Sequence, residues 1–161
     1  MILQKRTEAE RLFREEGYNC AQAVAAAFCE ETGISKEQSV TLVSGFGGGI
    51  GRLRETCGAV SGMVFVLSAL YGNYDPKDQV AKKNLYRAVQ EVCGAFSAKN
   101  GSVVCRTLLE GCQVTEGVTP EKRNTKAYQK RPCYTYVADA AEAVASFVAK
   151  HPIGEKLRFP D

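Results

Sequence analysis

Apolar residues recur at helical spacing along almost the whole of this chain, and no segment alternates as a strand does. The clearest stripe is Cys20, Ala23, Val24, Ala27 and Phe28, whose offsets of 0, 3, 4, 7 and 8 lie on one helix face. Asn19 precedes it as a cap and Gly33 follows as a stop. A first helix is predicted from Arg6 to Glu16, ending at Gly17. Ser35 with Gln38 reads as a capping box for a third helix through Val43. Thr56 is read as the cap of an apolar helix over 57–71, and Asp75-Pro76 as the start of a helix burying Ala81, Leu85, Ala88, Val89, Val92 and Phe96. Ser102 caps a short helix stopping at Gly111. Residues 112–131 read as a polar loop with at most a helical turn. Pro132 opens a last helix with the stripe Cys133, Val137, Ala140, Ala141, Val144, Phe147 and Val148. The expectation is all-α: one compact bundle of six or seven helices over 1–161, with an extended tail at 152–161.

Composition narrows the function classes. A net charge of +3 is small for a nucleic-acid binder, so none is expected as a partner. The longest stretch without charge, Cys57 to Tyr74, holds three glycines, two serines and an asparagine, and reads as a buried core helix rather than a membrane span. The start, MILQKRTEAERLFREEG, has no apolar signal core, which predicts a cytoplasmic protein.

Seven cysteines in a reducing compartment point to metal or redox chemistry rather than disulfide staples. Four of them fall at helix starts: Cys20 after Asn19, Cys57 after Thr56, Cys105 three residues after Ser102, and Cys133 after Pro132. The unpaired N–H groups and positive dipole of a first helical turn favour a thiolate, the form that attacks disulfides and binds metals. Arg52 and Arg54 lie near Cys57, Arg106 adjoins Cys105, and Arg131 lies two residues before Cys133. Cys20, Cys57 and Cys133 also begin apolar stripes, so they are expected to point inward toward one another. Cys29 and Cys93, late in helices, read as small buried hydrophobes. Cys112 follows a helix end and is a spare or resolving thiol at most.

The stretch GFGGGIGRLRETCGAVSG, 45–62, matches neither a dinucleotide fingerprint nor a P-loop. It is either a flexible connector or a loop whose bare amides, at Gly47, Gly48 and Gly49, approach an anion or a cluster sulfur. Gly58, Ala59 and Gly62 keep the next helix slim, so that a neighbouring backbone or cofactor can come close. Arg52, Arg54 and Arg106 bias the charge around the thiols.

The segments NCAQAV, TCGAVSG with its glycine loop, GSVVCRTLL and RPCYTYV, in this order from about Gly17 to Val148, resemble a bacterial family of redox-active proteins named for its C–GCAxxG–C–C cysteine pattern. The resemblance carries over to Cys20, to Cys57 with Gly58, Ala59 and Gly62, to Cys105 and to Cys133. It extends to part of the split-Soret cytochromes, whose cysteine-bearing region has been proposed to hold an iron–sulfur cluster. This chain lacks C-x-x-C-H, so covalent haem is not implied.

Three chemistries suit such a set. An iron–sulfur cluster or other metal held by Cys20, Cys57, Cys105 and Cys133 would serve electron transfer. The same cysteines without metal could run thiol–disulfide exchange, with Cys57 as nucleophile, although no C-x-x-C occurs. A non-catalytic zinc-stabilised binding or scaffold protein is the third reading, although the paired short spacings typical of zinc are missing. A Cys–His hydrolase is disfavoured, because the single histidine, His151, lies about 27 Å from Cys133 along a continuous helix. It reads as a solvated residue near a helix end. The basic run 121–131, with five cations and one acid, is either a solvated loop or a docking segment for an acidic redox partner. Self-association into a homo-oligomer is left open.

Overall fold

The computed structural model describes residues 1–160; Asp161, the last residue of the predicted tail, lies outside the described residues. The architecture is all-α, as the apolar spacing predicts. Six helices carry it: α1 (Ile2–Arg14), α2 (Cys20–Ala26), α4 (Lys36–Leu42), α5 (Gly58–Tyr71), α6 (Gln79–Asn100) and α9 (Cys133–Lys150). Three single turns sit between them: α3 (Cys29–Thr32), α7 (Cys105–Leu108) and α8 (Lys126–Gln129). Among the described residues no helix is long and apolar enough to cross a membrane.

Helix α9 is the axis. It packs along α1 and also meets α5, α2 and α6. Its buried Val137, Ala140, Ala141 and Val144 join Leu12, Val24, Phe28, Met63, Val66 and Phe96 in one core. Burial of this apolar surface, at about 25 cal/mol per Å², is the main force holding the bundle.

Two helix starts are built as the sequence predicts. The Asn19 side chain accepts from the Gln22 amide at 2.9 Å, and the Gln22 side chain accepts from the Asn19 amide at 3.1 Å. Ser35 and Gln38 make the same reciprocal box at α4. The crossing of α2 on α5 depends on missing side chains. A Cβ on Gly58 would lie 2.6 Å from the Cys20 sulfur and 2.9 Å from the Phe46 carbonyl, and one on Gly62 would lie 2.8 Å from Val24.

Several boundaries differ from expectation, each for a local reason. Helix α1 starts at Ile2, and Lys5 on its first turns bonds the Ala27 carbonyl at 2.8 Å and pairs with Glu31. Asp75 folds a turn, accepting from the Lys77 amide at 2.8 Å, which leaves Asp78 to cap α6 through the Ala81 amide at 2.9 Å. The predicted second helix breaks at Phe28, so Cys29 begins a separate turn rather than ending a helix. Ser102 bonds the Val104 amide, and Val104 itself is the cap residue of α7. Thr56 does not cap α5. It pairs with Val104 in an isolated antiparallel bridge, and Cys57 takes the cap position. The tail folds back irregularly: Asn84 bonds the Leu157 carbonyl at 2.9 Å, and His151 is stacked on Phe147 at 4.1 Å rather than standing in solvent.

A cysteine-lined cavity as candidate functional site

The Thr56–Val104 bridge brings two distant cysteines into one register. The Cys57 amide donates to the Val103 carbonyl at 2.8 Å, and the Cys105 amide donates to the Glu55 carbonyl at 2.6 Å. Cys20 is the first residue of α2, and Gly58 lets it lie against the start of α5. Cys133 is the first residue of α9.

All four of these cysteines line one cavity of about 340 Å³, and all seven cysteines of the chain are unpaired. Gly47, Gly48, Gly58, Arg52 and Arg54 line the same space. Gly49 stands behind it, where a Cβ would lie 2.6 Å from that of Cys105. Arg106 does not reach the cavity, contrary to expectation. Its guanidinium turns outward to pair with Glu116 at 3.0 Å, the nearest acid on the facing loop. Cys29 and Cys93 lie elsewhere; Cys29 sits 3.7 Å from the Ser39 hydroxyl.

The glycine stretch is not a flexible connector. Residues 48–52 all have positive φ, between 53° and 71°, and Arg54 has φ 60°. The amides of Gly51, Arg54 and Glu55 donate back to the carbonyls of Gly45, Gly48 and Gly49 at 2.8, 3.2 and 2.9 Å. This is a run of positive-φ backbone held by hydrogen bonds within residues 45–55. For Ile50, Arg52 and Arg54 that conformation costs about 1–2 kcal/mol each. Strain of this kind concentrates where a fold must present a group in one orientation.

The wall opposite this run is strapped down by arginines. Arg52 donates to the carbonyls of Gly117 and Thr115 at 2.5 and 3.0 Å. Arg131 donates to the Gln113 carbonyl at 2.6 Å and pairs with Glu121. Glu121 also accepts from the Thr115 amide at 2.5 Å and lies 3.5 Å from Arg54. Its pKa falls to about 2, chiefly because Arg131 bonds it. Arg123 donates to the carbonyls of Phe13 and Tyr18. Of the five cations in 121–131, two therefore turn inward, and Lys122, Lys126 and Lys130 face solvent. Glu121, Arg123, Arg131, Tyr128 and Tyr136 also line the cavity. Glu121 was absent from the sequence-derived site; its one signal is that it is the only acid in a basic run.

The thiols are not the low-pKa nucleophiles that helix starts suggest. Burial pushes Cys57 well above the ordinary thiol value, and the neighbouring Cys20 adds to this, against the amides of Ala59 and Val60. Burial, then Cys20 and Cys105, raises Cys133 to about 12. Burial raises Cys105 too, with Arg54 opposing it. Desolvation outweighs the helix-start amides because these three cysteines are themselves buried. Without a cation or a cluster among them, these groups are neutral thiols at pH 7.

Fold and cavity together define a class: an all-helical protein in which cysteines from four separate segments line one space. The chain belongs to the family described as "Putative redox-active protein (C_GCAxxG_C_C)", whose profile matches residues 18–147. No curated protein sequence matches it. Among solved structures it is similar to a chain reported under "A novel iron centre in the split-Soret cytochrome c from Desulfovibrio desulfuricans ATCC 27774". The TM-score is 0.62 at 14% identity, covering 99% of this chain and 74% of that one. At that identity the likeness speaks for the fold alone.

Proposed function

We propose that Cys20, Cys57, Cys105 and Cys133 hold an iron–sulfur cluster and that the protein transfers electrons. The observation that carries this reading is the convergence of four thiols on one cavity whose wall is net positive. Arg52, Arg54 and Arg131 surround the single carboxylate of Glu121. A centre built from four thiolates is anionic, and such a wall offsets its charge. When bound, the cluster would accept and release electrons one at a time. The chain supplies the sulfur ligands, the counter-charge and, through the strap of residues 113–121, shielding from water.

A bare dithiol mechanism fits less well. It needs a thiolate near neutral pH, and burial acts against that at Cys57, Cys105 and Cys133. Among the described residues no three Cys, His, Asp or Glu side chains are gathered closely enough for a single ion. The cluster reading therefore rests on the cavity that the four cysteines share, not on a ligand set already drawn together. The iron centre named for the cytochrome of similar fold makes iron the metal to test first. The solvent-facing Lys122, Lys126 and Lys130 beside the cavity suit an acidic electron-transfer partner.

Anaerobic purification, or reconstitution with ferrous iron and sulfide, tests the proposal. The expected product is brown and carries iron and acid-labile sulfide in equal amounts. A colourless protein that takes up zinc alone, or no metal under either procedure, would overturn it.

A further inference from the structure

Arg54 differs from the other arginines around the cavity. Arg52, Arg123 and Arg131 direct their donors at carbonyls or at Glu121, and Arg106 pairs with Glu116. Arg54 is 5% exposed; its Nη2 bonds the Thr115 carbonyl at 3.1 Å and meets Glu121 at 3.5 Å, so the difference lies at Nε. Its Nε is the one buried side-chain polar atom among the described residues with no hydrogen-bond partner. A buried donor left unpaired is costly, the more so on a charged group.

The backbone is arranged to keep it there. Arg54 sits at φ 60°, its amide bonds the Gly48 carbonyl at 3.2 Å, and its carbonyl accepts from the Arg106 amide at 3.1 Å. Arg54 adjoins Cys105, since a Cβ on Gly49 would lie 2.6 Å from the Cys105 Cβ and 2.9 Å from the Arg54 Cα, and its guanidinium favours the Cys105 thiolate by a hydrogen bond and by its charge while Nε itself stays unpartnered. A strained backbone, a buried charge and an unused donor thus coincide on the wall of the four-cysteine cavity.

We propose that Arg54 Nε donates to a sulfur of the bound centre on its Cys105 side and thereby raises the reduction potential. This rests on the iron–sulfur reading above. An electron accepted from an external reductant adds one negative charge to the centre, with the reductant oxidised by one electron. A cationic donor aimed at that sulfur stabilises the added charge more than the oxidised state.

The test is a dithionite-poised redox titration of the reconstituted protein, followed by absorption and electron paramagnetic resonance. Arg54→Gln is expected to shift the couple at least tenfold toward the oxidised form, a fall of about 59 mV for one electron. Arg54→Lys keeps the charge without the Nε donor and is expected to fall between the two. Loss of iron from either variant, with the helical circular-dichroism signal retained, counts for the same contact. Equal iron content and equal potentials in the wild type and both variants would overturn this inference and leave the proposed function standing. A wild-type protein that takes up no iron would remove both.

Discussion

Cys57 and Cys105 lie 48 residues apart, yet one antiparallel bridge between Thr56 and Val104 sets their relative position. Each sulfur stands beside a backbone hydrogen bond that crosses between the two segments, at 2.8 Å on one side and 2.6 Å on the other. Helix packing alone would let the starts of α5 and α7 slide past each other. The bridge removes that freedom and fixes half of the proposed ligand set before any metal arrives.

Small residues at this junction are therefore expected to be intolerant. Gly49→Ala forces a Cβ to 2.6 Å from that of Cys105 and to 2.8 Å from the Glu55 amide, at φ 71°. It should destabilise the protein by about 1–3 kcal/mol in urea denaturation. Gly94→Ala, in the interior of α6 with nothing within 4 Å of the new Cβ, should instead stabilise by up to about 1 kcal/mol. Equal responses at the two sites would contradict the packing described.

Glu121 gives an acid-dependent contribution. Its pKa is near 2 in the folded protein, against an ordinary value of 4.5. A depressed carboxylate pKa stabilises the fold above the unfolded value and loses that effect as pH falls from 4.5 toward 2. The difference in urea midpoint between wild type and Glu121→Gln is expected to be largest at pH 5–6 and to shrink across that window. A difference that is constant with pH would show that the Arg131 pair adds nothing specific.

The metal-free thiols should be slow. With Cys133 titrating at about 12, only about one part in ten thousand is thiolate at pH 8. Iodoacetamide labelling of the metal-free protein, read by mass spectrometry, should leave Cys133 and Cys57 well behind a free cysteine at that pH. Rapid labelling of Cys57 at pH 7 would favour the dithiol reading instead.

What the sequence made legible was local. Asn19 as a cap and the Ser35–Gln38 box are short-range patterns of residue type, and each forms where its spacing places it; that Gln22 closes a box with Asn19 is added by the structure. Cys20 and Cys133 open their helices as read, whereas Cys57 is itself a cap residue and Cys105 follows Val104 rather than a helix begun at Ser102. The Thr56–Val104 bridge was not legible, because pairing across 48 residues leaves no mark in either segment. Glycines at 47–49 announced an unusual backbone, but nothing in Ile50, Arg52 or Arg54 announces a positive φ, since tertiary contacts must hold such residues there. The direction of the thiol pKa was misread for a related reason. A helix start is visible in sequence, whereas the depth at which it is buried is not. Arg106 adjoins Cys105 in the chain but points away, because Glu116 offers it an exposed partner.

The most direct test of the central claim is iron and acid-labile sulfide content in seven single Cys→Ser variants, each reconstituted anaerobically. Serine at 20, 57, 105 or 133 is expected to lower or abolish the content, and serine at 29, 93 or 112 to leave it at the wild-type level. Uptake that ignores this division, or that fails most at Cys29, Cys93 or Cys112, would contradict the account.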